Sequence, residues 1–380
     1  MKMTFDKMCR YPKSAMAAAL AFVLAQGAMA ASVESVRAQQ RPKSNIVDVY
    51  YDLVEPDGGL FDVSLSIEGG EDRPAMVTLK GDVGIDLTPG RNKHIEWDAG
   101  TDWPNRVQSN FVATVKATPS IGMVLIPGGV NSGYDNDVQA TPKKNYSLSV
   151  NSFYMDRAEV SYMRWKAVYD WAVKHGYAFD NEGGGKGMDH PVQKVNWYDC
   201  VKWCNARSEM NKREPVYRVG GEVYRSGRSD PSADLSCDGY RLPTDEEWEY
   251  AARGGRSSLC YPWGNKISHE QANYYNSGNN EVIGWYPEYE SSPTVGYDSR
   301  YMAGGMPYTS PVASFAANDY GLYDVVGNVR EWTGLTGTSA RLRGGNWSSN
   351  GKNCCLWNRP AVSDPTTVGN VNGFRTVRRQ

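Results

Sequence analysis

The sequence predicts two unlike folded parts, a small all-β sandwich over residues 45–118 and a larger, loop-rich α+β domain over residues 119–380. Three observations carry this. The runs IVDVYYDL, FDVSLSI, AMVTLKG and NFVATVKA have strand length, and Asp57-Gly58-Gly59, Glu68-Gly69-Gly70 and Thr88-Pro89-Gly90 supply turns between them. After Thr118-Pro119 the alternation stops, and glycines, asparagines and tryptophans alternate at short range, which favours tight turns over large packed side chains. The second part also holds a few helices with clear caps.

The chain has 380 residues, 40% of them hydrophobic and 22% charged, ordinary values for a folded soluble protein. Residues 1–30 read as a secretory signal: Lys2, Lys7, Arg10 and Lys13 precede the apolar run from Ala15 to Ala25, and Ala28-Met29-Ala30 places cleavage after Ala30. The expected destination is periplasmic or secreted. Cys9 lies before the apolar run, so the lipoprotein pattern is not met, and no later stretch is apolar for long enough to span a membrane. Removing the leader takes away four cations and one anion, which moves the net charge further below −2 and argues against nucleic acid as a partner. Six cysteines follow the leader (Cys200, Cys204, Cys237, Cys260, Cys354 and Cys355), in a compartment where disulfides persist, and the sequence leaves their pairing open.

Residues 31–44 have no periodic apolar pattern and read as a tether, with order expected from Asn45; Trp97 and Trp103 are assigned to the core of the sandwich. In the second domain Met123 to Gly129 is an apolar strand ending in a turn. A helix is expected from Ser161, its cap, with Val160, Met163, Ala167, Val168 and Trp171 on the buried face. Another runs from Trp197 to Arg207, capped by Asn196, and its Cys200 and Cys204 project in nearly parallel directions, so packing fits them better than a disulfide. Residues 205–239 form a polar excursion. Thr244 and Glu247 then make a capping box for a helix that Gly254-Gly255 stops. Asp245 and Glu247 are accounted for by capping rather than by paired-acid hydrolysis. The irregular stretch 261–315, in a chain with 12 Trp and 24 Tyr, suits either a core filled with rigid aromatics or an aromatic-lined groove for peptide or sugar.

The stretch from Asn318 to Arg375 looks built to hold a site. Asp324, Gly327, Asn328, Val329 and Glu331 set oxygen donors at short intervals, a pattern suited to calcium, which takes six to eight oxygens. The same spacing is that of a glycine turn whose carboxylates face water or an arginine. Only His94, His175, His190 and His269 exist, at spacings that make no ligand pair, and no G-x-S-x-G elbow is present.

Taken together, GLYDVVGNVREW, YRLPTDEEWEYAARGG, YPWGN, SFYMDRAEVS, RGGNW and GFR resemble the formylglycine-generating enzyme (sulfatase-modifying factor) family over about residues 120–380. The resemblance implies an irregular α+β fold related to C-type lectin-like folds and two structural calcium ions. Asp324 and Glu331 would give side-chain oxygens and Gly327 and Val329 backbone carbonyls to one ion; Asn273, Tyr274 and Asp298 would serve the other. It also implies oxidation of a sulfatase cysteine to formylglycine, with O₂ and one Cu(I) held by two thiolates, ligands whose softness suits that ion. Counted from Gly344-Gly345, the two copper positions fall on Ser349 and Cys354, so the pair is incomplete unless Cys355 or a distant cysteine intervenes. Cys204 matches one half of a family disulfide, but its partner position is Thr376. The added helical domain of the iron-dependent, ergothioneine-building relatives is missing.

Two functions are therefore expected from the sequence: a formylglycine-generating oxidase acting on exported sulfatases, or a non-catalytic, calcium-stabilised extracytoplasmic module that binds a polypeptide or a glycan. A third reading is other oxidative chemistry at Cys354 with Cys355 or another metal.

Overall fold

The computed structural model describes residues 16–18, 32–54, 60–68, 78–103, 111–137, 140–278, 288–361 and 363–380. Most of the expected leader lies outside these, as do the turns at Asp57-Gly58-Gly59 and Gly69-Gly70. The chain divides into two compact units, Met1–Ser120 and Ile121–Gln380.

The first unit has a five-stranded antiparallel sheet in the order Met16–Ala18, Ser32–Gln40, Ile46–Val54, Gly90–Asp98, Leu79–Gly81, and a three-stranded sheet in the order Gly84–Leu87, Phe61–Glu68, Val112–Pro119. Every second residue of Ile46–Val54 is buried, the period-2 pattern of a strand with one covered face. Val49, Tyr51 and Leu53 of the larger sheet share one apolar cluster with Val63, Leu65 and Val115 of the smaller, and Trp97 and Trp103 belong to it. A short helix, α1 (Ala99–Asp102), is capped by Asp98. The tether expected at 31–44 is corrected: Ser32–Gln40 is a strand paired with Ile46–Val54. Its register shifts between Glu34 and Arg37, with Ser35 at φ 53°, so the buried Val33, Val36 and Ala38 lose their even spacing. That bulge hides the alternation from a sequence reading.

In the second unit α2 (Tyr162–Lys174) starts at Ser161, whose hydroxyl accepts from the Arg164 amide. Its buried residues are Arg164, Trp165, Val168 and Ala172, a stripe rotated from the expected one. Trp165 stacks on Trp203 with 5.9 Å between ring centroids and 3° between planes, and Phe374 meets both edge-on. These aromatics fix α2 against α3 (Trp197–Met210). Helical spacing predicts one inner face for α3, yet the helix is buried from Trp197 through Ser208, including Asp199, Lys202 and Arg207. Buried charge needs partners, and Arg207 finds Asp156 at 2.8 Å and the Thr376 hydroxyl at 2.7 Å. Where the resemblance places a disulfide, Cys204 is a free buried thiol and this ion cluster lies beside it.

The polar excursion forms a small sheet, Tyr217–Val219 flanked by Glu222–Val223 and Ser232–Ala233. Next, α4 (Asp245–Arg253) has the reciprocal Thr244–Glu247 capping box and ends on Gly254 at φ 60°. The C-terminal strand Val377–Arg379 pairs with Phe153–Asp156, whose other neighbour is Met123–Ile126. Near it, Arg330–Thr333 lies between Arg341–Arg343, antiparallel, and Asn372–Gly373, parallel.

Burial works against ionising Asp156, but Arg207 and Thr376 hold its carboxyl below the usual range. Asp156→Ala would strand Arg207, and a loss of about 3–5 kcal/mol in urea unfolding is expected. A loss under about 1 kcal/mol would mean that Arg207 finds another partner or water.

Candidate functional site

The site is built on the loop after Arg341–Arg343. Gly344 and Gly345 have φ of 86° and 74°, and a Cβ on Gly345 would lie 2.4 Å from the Cys354 sulfur. Glycine is needed there for both backbone shape and close approach. The loop turns back through Asn346, whose amide donates to the Ser349 hydroxyl oxygen at 3.2 Å and whose carbonyl accepts from the Ser349 amide at 2.9 Å. The Ser349 carbonyl accepts from the Tyr275 amide at 2.9 Å, and the Cys354 thiol points to that carbonyl at 3.9 Å.

Ser349 and Cys354 are thus brought together, but into structural tasks. Cys354 is fully buried, and burial first, then the Glu290 carboxylate, push its pKa far up. Glu290 is held there by the amides of Gly351 (2.8 Å) and Ser277 (3.1 Å) and by the Ser277 hydroxyl (2.8 Å). A thiol kept protonated beside a neutral hydroxyl is a poor donor set for a soft cation, which needs thiolates. These residues do not fit Cu(I).

The calcium residues divide. The Asp324 Oδ1 and Glu159 Oε2 oxygens are buried with no hydrogen-bond partner among the described residues. Burial pushes both carboxyls up, that of Asp324 to about 7, and the two repel each other. Orphaned carboxylate oxygens of this kind suit a hard cation. Glu331 is instead committed: it accepts from Arg375 at 2.6 and 2.7 Å and from the Trp248 indole at 2.7 Å. Gly327, at φ 80°, approaches the Asn273 carbonyl so closely that a Cβ would lie 2.4 Å from it, and the Asn328 amide bonds the same oxygen at 2.8 Å. The two sets of expected ligands therefore abut.

In the second set, pairing of Tyr275–Asn276 with Gly296–Tyr297 brings Tyr274 and Asp298 to one end of a ribbon. There Asp298 is bound by Arg300 at 2.7 Å, and the Asn273 amide group donates to the Tyr308 carbonyl at 3.0 Å. That arrangement does not fit a cation at Asp298. No cluster of three or more His, Cys, Asp or Glu able to hold a metal occurs among the described residues.

The sequence reading missed Glu290, which sits in an irregular stretch without a motif, and gave Glu159 no task although it lies in the quoted SFYMDRAEVS. It also left the aromatics unplaced. Beside Ser349, half-buried Tyr275, Tyr297 and Trp347 form a row, with centroids 4.7 Å apart for the tyrosines and 6.0 Å from Tyr297 to Trp347.

The Sulfatase-modifying factor enzyme 1-like domain family matches residues 108–380, and the chain belongs to this family. Over 69% of its length it is 30% identical to the chaperone protein LppX of Paenibacillus barcinonensis, covering 90% of that protein. It is 32% identical to the formylglycine-generating enzyme of Bos taurus over 57% of this chain and 59% of the enzyme, and so spans little more than half of that relative's length. It is 39% identical to the inactive C-alpha-formylglycine-generating enzyme 2 of Bos taurus, over 43% of this chain and 42% of that protein. Among the described residues no helix is long and apolar enough to cross a membrane.

The buried carboxylates set a pH dependence. The Asp324 pKa of about 7 in the folded chain lies above its ordinary 3.8, so between these values the folded state keeps a proton that the unfolded state has released. In EDTA, stability is expected to fall as pH rises from about 5 to 7, by at most about 1.4 kcal/mol per pH unit for this group, and the raised Glu159 carboxyl adds to the fall in the same direction. Asp324→Asn should flatten the curve in urea titrations. A slope unchanged in both Asp324→Asn and Glu159→Gln would assign it to other groups.

Proposed function

We propose that this chain is an exported family member that keeps the scaffold but not the copper chemistry, and that it binds extended polypeptide along the aromatic row beside Ser349. The observation that carries the proposal is the state of the two copper positions: a serine whose hydroxyl closes its own turn, and a thiol held protonated by burial and by Glu290. The likeness to a relative named inactive supports loss of oxidation, and the likeness to one named a chaperone supports a polypeptide over a glycan as ligand. Export is read from the leader. Calcium enters the proposal at the orphaned oxygens of Asp324 and Glu159, with the carbonyls of Gly327 and Val329 as the further donors that the resemblance implies; bound there, it would supply charge balance for both carboxylates.

With Cu(I), reductant and O₂, the protein is expected to leave a sulfatase-type Cys-x-Pro-x-Arg peptide unchanged in mass. Formylglycine formation would lower that mass by about 18 Da, whereas ordinary thiol oxidation raises it. Conversion by the unmodified chain would overturn the proposal. Ser349→Cys should tighten Cu(I) binding, because it restores a second soft donor.

Binding is tested separately with reduced, carboxymethylated lactalbumin as an unfolded polypeptide. Trp347→Ala is expected to weaken binding by about tenfold, a typical effect of removing an aromatic anchor. An unchanged affinity, or binding of oligosaccharides alone, would move the ligand away from polypeptide.

A further inference from the structure

Cys260 and Cys355 are far apart in sequence and side by side in the fold. Both are free thiols in this structure, as Cys204 is, with relative exposures of 0% and 1%, and both belong to the apolar cluster around α4. The segments that carry them are tied by the Leu356 amide, which donates to the Cys260 carbonyl at 2.8 Å. The Tyr261 hydroxyl and the Cys355 thiol converge on one oxygen, the Gly351 carbonyl, at 2.7 and 3.7 Å. The Cys260 thiol points to the Asn136 carbonyl at 3.2 Å, and the two thiols also interact with each other. The indole N–H of Trp357 lies near the Cys260 sulfur and is buried with no hydrogen-bond partner among the described residues.

The other cysteines are placed differently. Cys354 points away to the Ser349 carbonyl, and Cys200 and Cys204 lie four apart on α3. Cys354 and Cys355 are adjacent in the chain, and vicinal cysteines bond to each other only through a strained ring.

We infer that Cys260 and Cys355 form a disulfide that fastens the site loop, residues 344–357, to the segment before Tyr261. Two thiols packed together in an apolar core gain little from each other, whereas a covalent link between such distant positions removes much of the freedom of the unfolded chain. The link also withdraws Cys355 as a substitute for the missing thiolate at Ser349, so Cys354 remains the single free thiol of that loop.

Because both sulfurs are buried in the folded chain, the bond forms during folding by exchange with a small-molecule disulfide. One cysteine thiolate attacks oxidised glutathione, breaks its S–S bond and releases one glutathione thiolate. The second cysteine thiolate then attacks the mixed disulfide and releases the other glutathione. Two protons pass from the cysteines to the released glutathiones; the cysteines are oxidised by two electrons, and the glutathione disulfide is reduced.

The test is to refold the full chain in reduced and oxidised glutathione, alkylate it in denaturant, and map its peptides without reductant. A cross-linked pair containing Cys260 and Cys355 is expected, about 2 Da lighter than the sum of the free peptides and separated by reductant. Cys260→Ser and Cys355→Ser should each abolish it and free the other thiol to alkylation, and Cys354→Ser should retain it. Reduction should lower the melting temperature by about 10 °C. Full alkylation of both thiols after oxidative refolding would overturn the inference. So would a cross-link running through Cys354, or stoichiometric zinc or copper protecting the two thiols in the native mass. Should a serine variant fail to fold, the map of the unmodified chain decides alone.

Discussion

The ion pair between Glu331 and Arg375 is the interaction on which the second unit depends most. Both side chains are almost completely buried, and neither charge has access to water. Desolvation at that depth costs several kcal/mol per ion unless every remaining donor and acceptor is used. Here they are used. Arg375 also donates to the Tyr323 carbonyl at 2.9 Å and to the Arg157 carbonyl at 3.2 Å, and Glu331 takes the Trp248 indole. One pair therefore fixes the central site strand, the loop before it, the end of the Phe153–Asp156 strand and α4 in a single arrangement. Its cost reappears next door, where Glu159 and Asp324 share the same buried space with one arginine for three carboxylates.

A second buried network supports the site loop from the other side. Glu249 of α4 accepts from Arg343 at 2.7 Å, Arg253 at 2.8 Å and Arg359 at 2.6 Å. Burial opposes its charge, but Arg343, Arg253 and Arg359 together keep its carboxyl below the usual range. Arg343 and Arg359 flank the loop that holds Ser349 and Cys354, so the loop is pinned at both ends by one carboxylate. A loop so held owes its shape to ion pairs at its two ends.

Much of this was legible in the sequence where the cause is local. Ser161, Asn196 and Thr244 announce their helices because a cap is a contact within three or four residues. The donors from Asp324 to Glu331 and the glycines at 344 and 345 are readable for the same reason. Glu331 illustrates the limit: its spacing suits a cation ligand, and the observed partner is an arginine forty-four residues later in the chain.

The sequence by itself determined the family, the capped helices and the strands with regular alternation, and it places a serine at residue 349, where the resemblance implies a copper ligand, because each is written in neighbouring residues or a short motif. Only the tertiary structure decided that residues 32–40 are a strand, because a bulge scrambles their alternation, and that α3 is buried along most of its length, because the arginine partners come from distant segments. It alone set Glu290 against Cys354, Glu159 against Asp324 and Cys260 against Cys355. Charge, burial and thiol proximity at those points depend on where separate loops meet in space, and no local pattern encodes that meeting.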